Sequence, residues 1–109
     1  MRSIIVPKDK EADILLDTDE ATPEQLITLS FDNTEFKELW DAGIFQLINE
    51  LTESLIDVYE DDAITEKQKL QLVLSSDIFE ISVTTDKLKQ IKTLFQEALQ
   101  RGTGVYFYF

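Results

Sequence analysis

The sequence predicts an α+β fold: one small domain, residues 1–109, with an antiparallel or mixed sheet and two main amphipathic helices on one of its faces. Three observations predict it. Apolar residues alternate at period two in several short stretches, and they recur at helical spacing in two longer ones. No linker, internal repeat or low-complexity segment divides the chain. A length of 109 residues fits one domain, and a hydrophobic content of 43% argues for a packed core rather than disorder.

The elements follow in chain order. Residues 4–6 are a short apolar run stopped by Pro7, which reads as an edge strand. Residues 8–13 are charged and read as a turn or loop, followed by a second apolar run at 14–16. Residues 17–23 form a loop closed by Pro23. Ile27, Leu29 and Phe31 alternate on one face of a strand. Asp32, Asn33 and Thr34 then offer helix-capping side chains. From Phe36 the period changes: Trp40, Ile44, Leu47, Ile48, Leu51, Leu55 and Val58 continue one helical stripe towards Tyr59. Gly43 is the place for a bend or for a break into two helices. Leu70, Leu72 and Leu74 alternate, which favours a strand over residues 69–74. Ser75-Ser76-Asp77 would turn it into a hairpin with Phe79, Ile81 and Val83. A helix through 65–80 is the alternative. Thr85 is an N-cap for a helix carrying Leu88, Ile91, Leu94, Phe95, Ala98 and Leu99, and Gly102 stops it. Residues 105–109 are a β-prone aromatic strand.

The 22 acidic and 10 basic side chains give a net charge of -12, but not evenly. Residues 1–31 carry a net of -4, residues 32–64 a net of -9, and residues 65–109 a net of +1. At about 100° per residue, Glu50, Glu53, Asp57 and Glu60 form one stripe opposite the apolar face, with Asp61 and Asp62 beyond it. Glu53 and Asp57 stand at i,i+4, where like charges destabilise a helix by roughly 0.2–0.5 kcal/mol. The row is either a solvated helix face or an anionic ridge for a cationic partner. Phe45 and Ile56 project at nearly one angle beside it. They either widen the buried face or supply apolar anchors rimmed by acids.

Composition excludes much chemistry. With no His and no Cys, the chain holds no disulfide, thiolate zinc site, imidazole shuttle or Ser-His-Asp triad. Three glycines cannot build a glycine-rich phosphate loop. Asp17-Thr18-Asp19-Glu20 gathers carboxylates but lacks the Gly and Glu of an EF-hand loop, and no cofactor is expected. Glu35-Phe36-Lys37 has the spacing of a nuclease Glu-x-Lys, but on a helix start the two side chains diverge. Tyr106-Phe107-Tyr108-Phe109 has no interleaved Lys or Arg for stacking on nucleic acid, and the overall charge repels phosphates. No apolar run reaches the roughly 7–15 residues of a signal or the about 20 of a membrane span, so the expected location is the cytoplasm. An enzyme is not expected.

Residues 45–50 (FQLINE) followed by residues 55–64 (LIDVYEDDAI) resemble the acidic helix of small bacterial immunity proteins, which neutralise toxin domains of contact-dependent competition. The resemblance covers roughly residues 34–64. It implies a protein that binds one cognate toxin, often a basic nuclease, and blocks its active site or substrate surface. Glu50, Glu53, Asp57, Glu60, Asp61 and Asp62 would then face toxin cations, with Phe45 and Ile56 as anchors. Two other functions compete. A nucleic-acid mimic would inhibit a DNA-binding enzyme, but it needs acids in two rows rather than one stripe. A homo-oligomeric domain would pair two copies through an exposed C-terminal strand.

Overall fold

The C-terminal aromatic strand lies inside the sheet. In the computed structural model, which describes residues 2–58 and 61–109, four strands run β2-β1-β4-β3, every neighbouring pair antiparallel. They are β1 (Arg2–Pro7), β2 (Leu26–Phe31), β3 (Asp62–Ile64) and β4 (Val105–Tyr108). Register pairs Ile4 with Leu29 on one side and with Phe107 on the other, and Ile64 with Val105. These residues, with Val6 and Phe31, share one buried face. Ser3, Ile5, Tyr106, Tyr108 and Ala63 alternate onto the other.

Five helices complete the α+β architecture: α1 (Lys10–Asp17), α2 (Asn33–Asp41), α3 (Ile44–Thr52), α4 (Lys67–Ser75) and α5 (Lys87–Arg101). The buried residues of α2 to α5, among them Phe36, Leu39, Ile48, Leu70, Val73, Ile91 and Phe95, form one core with the first sheet face. Among the described residues, α1 alone of the helices lies against the second face, where Asp13 accepts a hydrogen bond from the Tyr106 hydroxyl. Among the described residues, no helix is long and apolar enough to cross a membrane.

Several local expectations are corrected. Residues 10–17 are helical rather than loop, because Asp9 caps them and accepts the Ala12 N–H at 2.8 Å. β1 is a central strand, not an edge. The stripe expected from Phe36 towards Tyr59 is two helices and a loop as far as Val58, and Tyr59 lies outside the described residues. Gly43, at φ 82°, separates α2 from α3, and Glu53, at φ 57°, ends α3. The chain then folds back: Asn49 accepts the Ile56 N–H at 2.8 Å and donates to the Ile56 carbonyl at 3.0 Å. Residues 69–74 belong to helix α4, and residues 78–80 form a single 3₁₀ turn, so the expected hairpin is absent. Four helices rather than two cover the core face. β4 is paired with β1 and β3 on its two sides, so it offers no edge to a second copy.

Phe45 and Ile56 are 0% and 3% exposed, which removes them as binding anchors. Phe45 stacks on Phe36 at 5.7 Å and meets Phe109 edge-on at 4.9 Å. Burying such side chains stabilises the fold by about 2 kcal/mol each relative to exposure.

Candidate functional site

The antiparallel register brings one end of every strand to the same place. β1 begins at Arg2 opposite the end of β2 at Phe31, Ser3 faces Tyr108, and β3 begins at Asp62 opposite Phe107. Three surface hollows run from the outer sheet face round this end and on to α2. The first, about 290 Å³, lies between the end of α1 and the β3–β4 pair and is lined by Asp17, Asp19, Asp61, Asp62, Tyr106 and Tyr108. The second, about 690 Å³, shares Asp61 and Tyr108 with the first and adds Asp32 and Asn33. The third, about 380 Å³, shares Asn33 and adds Glu38 and Asp41. Acids from three separate segments, residues 17–19, 32–41 and 61–62, therefore line one continuous track.

Local structure places each of them. Asp19 is held at φ 59° where α1 ends: its N–H donates to Leu16 O at 3.1 Å, and Glu20 N donates to Leu15 O at 2.7 Å. Asp tolerates this left-handed conformation better than most side chains. Asp62 clamps the loop that precedes it, accepting Leu55 N at 2.6 Å and Ala63 N at 2.7 Å. Asp32 caps α2 through a reciprocal box: its carboxylate accepts Glu35 N at 2.7 Å, and Glu35 accepts Asp32 N at 3.0 Å.

Two cations line the track as well, Arg2 in the second hollow and Lys37 in the third. Arg2 donates to Asn33 Oδ1 at 3.0 Å, and its guanidinium lies 4.3 Å from the centre of the Phe36 ring. Lys37 pairs with Asp41 at 2.6 Å. The field of the acids shows on the tyrosines. Burial raises the pKa of the Tyr108 phenol, and Asp61, Asp19, Asp17 and Asp13 raise it further. Tyr106 is raised strongly, by burial and then by its hydrogen bond to Asp13. Across the sheet, α5 exposes Lys89 and Lys92.

The predicted ridge does not form. Glu50 is exposed on α3, Glu53 is its left-handed cap, and Asp57 is exposed in the loop beyond. Glu60 lies outside the described residues. Of the named acids, the track gathers Asp61 and Asp62, and joins them to Asp17, Asp19, Asp32, Tyr106 and Tyr108. Two of these had a local signal, since Asp17 and Asp19 stand out as a carboxylate-rich loop. Their partnership with Asp61 is set by tertiary structure alone. Among the described residues, no three carboxylates converge closely enough to hold a metal ion.

No family model matches the chain, and no curated protein matches it by sequence. Among solved structures it is similar to the Neisseria DNA mimic protein DMP12, with a TM-score of 0.63 over 100% of both chains at 18% identity. That likeness shows a shared α+β fold.

Proposed function

We propose that this protein is a DNA-mimic inhibitor: its acidic track occupies the DNA-binding surface of a basic protein. One observation carries the reading. The acids are not one helix stripe but side chains from α1, the loop after it, the start of β3 and α2, spread along a surface that bends round the sheet. The objection that the acids form a single stripe falls with the helix that carried it. The fold likeness to a DNA mimic supports the same reading. The role is occupancy rather than catalysis. A toxin nuclease, as the immunity-protein resemblance implies, is one basic DNA-binding protein of the required class.

The test is displacement. Protein captured by the immobilised chain from lysate of its own cells at low salt should be released by duplex DNA at constant ionic strength. Conversely, the soluble chain should strip DNA from the purified partner. Reversing Asp17 and Asp61 to Lys should weaken the complex about tenfold or more, because complementary charge sets both encounter rate and hold. A partner that binds DNA and this chain together would sink the proposal.

A further inference from the structure

We propose that the hollow between the end of α1, the start of β3 and the outer face of β4 receives an arginine side chain of the basic partner. This rests on the mimic reading and names the contact at its centre.

The bare part of the sheet supplies the reason. α1 covers the outer face only around Tyr106, whose hydroxyl is fixed by Asp13, and Tyr108 beyond it stays half-exposed. The resulting hollow, about 290 Å³, combines three kinds of surface. Tyr106 and Tyr108 are its aromatic lining residues, Leu16 and Ala63 are apolar, and Asp17 and Asp19 at the end of α1 and Asp61 before β3 bring carboxylates. Asp62 also borders it, but both its oxygens already accept backbone N–H groups. Among the described residues, Asp17 at the end of α1, Asp19 after it and Asp61 leave their carboxylates without a hydrogen bond or ion pair.

Each surface matches one part of an arginine. The methylene stem needs apolar contact, the guanidinium plane stacks on an aromatic ring, and its fork donates two parallel bonds to a carboxylate. A lysine ammonium is compact and strongly hydrated, and it gains less from the ring. Charge complementarity alone would suit either cation; the tyrosines beside the carboxylates select arginine.

The test uses octa-arginine and octa-lysine, peptides of equal formal charge, titrated against the whole chain at about 0.15 M salt, where long-range attraction is screened. Octa-arginine should bind about tenfold tighter. Tyr108→Ala should abolish that preference while changing octa-lysine binding less than about twofold. Asp61→Asn, which leaves the ring in place, should reduce the preference independently. Glu24→Gln, at the opposite end of the sheet, should leave it intact. Equal binding of the two peptides by the wild type overturns the proposal. So does a preference that survives both Tyr108→Ala and Asp61→Asn, since that reflects general charge. Displacement by DNA without peptide discrimination defeats this inference and leaves the mimic reading standing. Discrimination without displacement does the reverse.

Discussion

Glu38 shows how an acid that lines the track can also serve the fold. Its carboxylate accepts Thr84 N at 2.6 Å, the Thr84 hydroxyl at 2.8 Å and Thr85 N at 3.1 Å. These groups immediately precede α5, so α2 fastens the entry of a helix 46 residues away. Nothing local in the sequence announces such a partnership. By contrast, Asp32 as the cap of α2 was legible, because its partners lie within one turn. Phe45 and Ile56 carry the same lesson. Their helical angle was read on a helix that stops at Thr52, and the Asn49 clamp turns Ile56 into the core. The Thr84 backbone bond, followed by the Thr84 hydroxyl, lowers the Glu38 pKa below its ordinary 4.5. A carboxylate lowered in the fold contributes stability above its unfolded value and loses it as pH falls through the folded one. Glu38→Ala should therefore lower the Tm at pH 7, and the gap from wild type should close as the pH drops below 4.5. A gap that stays constant from pH 7 to pH 3 would refute the latch.

At the scale of elements, strong periodicity and strong punctuation were legible, and short or ambiguous segments were not. β2, α5 and β4 appear almost where alternation, helical spacing and Gly102 put them. The N-cap of α5 moves by one residue, to Asp86. α4 was misread because Leu70, Leu72 and Leu74 alternate. In the helix only Leu70 of these is buried, with Val73 one turn on, while Leu72 is 43% exposed. Three leucines at period two suit both structures, and packing on α3 and α5 decides between them. β3 has only three residues, too few for any periodicity, and it exists because β4 offers it a partner. That pairing leaves no room at Gly104. A Cβ there would stand 2.9 Å from the Ile64 carbonyl oxygen and 2.8 Å from Thr65 Cγ2. The backbone oxygen cannot yield without breaking the β3–β4 register, which holds Asp62 and its neighbour Asp61 at the track. Gly104→Ala should cost about 1–3 kcal/mol, as overpacking does, read by urea denaturation. It should also weaken partner binding, and a variant with unchanged stability would show that β3 is not held this way.

For the whole molecule, the decisive quantity is how charge is spread. The sequence showed a net of -12 concentrated before residue 65, and that much survives in the structure as an acidic end and a lysine-bearing α5. The track itself was not legible, since it joins segments some forty residues apart around the ends of strands. Its charge density also differs from that of the polymer it is proposed to imitate. Duplex DNA carries one charge per about 1.7 Å of axis and a condensed counterion layer, whose release makes protein binding steeply salt-dependent. This chain carries a net charge of -12 over a globule 36 Å long, about one per 3 Å, with some acids already paired, as in Lys37–Asp41, so fewer counterions gather on it. Its attraction to a partner is screened by salt with a smaller counterion-release term. A protein making about 6–10 phosphate contacts loses roughly 10³–10⁵ in DNA affinity between 50 and 200 mM salt. Its affinity for this chain should fall by much less. With partner, DNA and chain held at fixed concentrations, raising salt over that range should shift partner from DNA to chain. Anisotropy of labelled DNA measures the shift directly. A partner that returns to DNA as salt rises would mean that the complex is held by loose surface charge alone, without the shaped contacts around Tyr108.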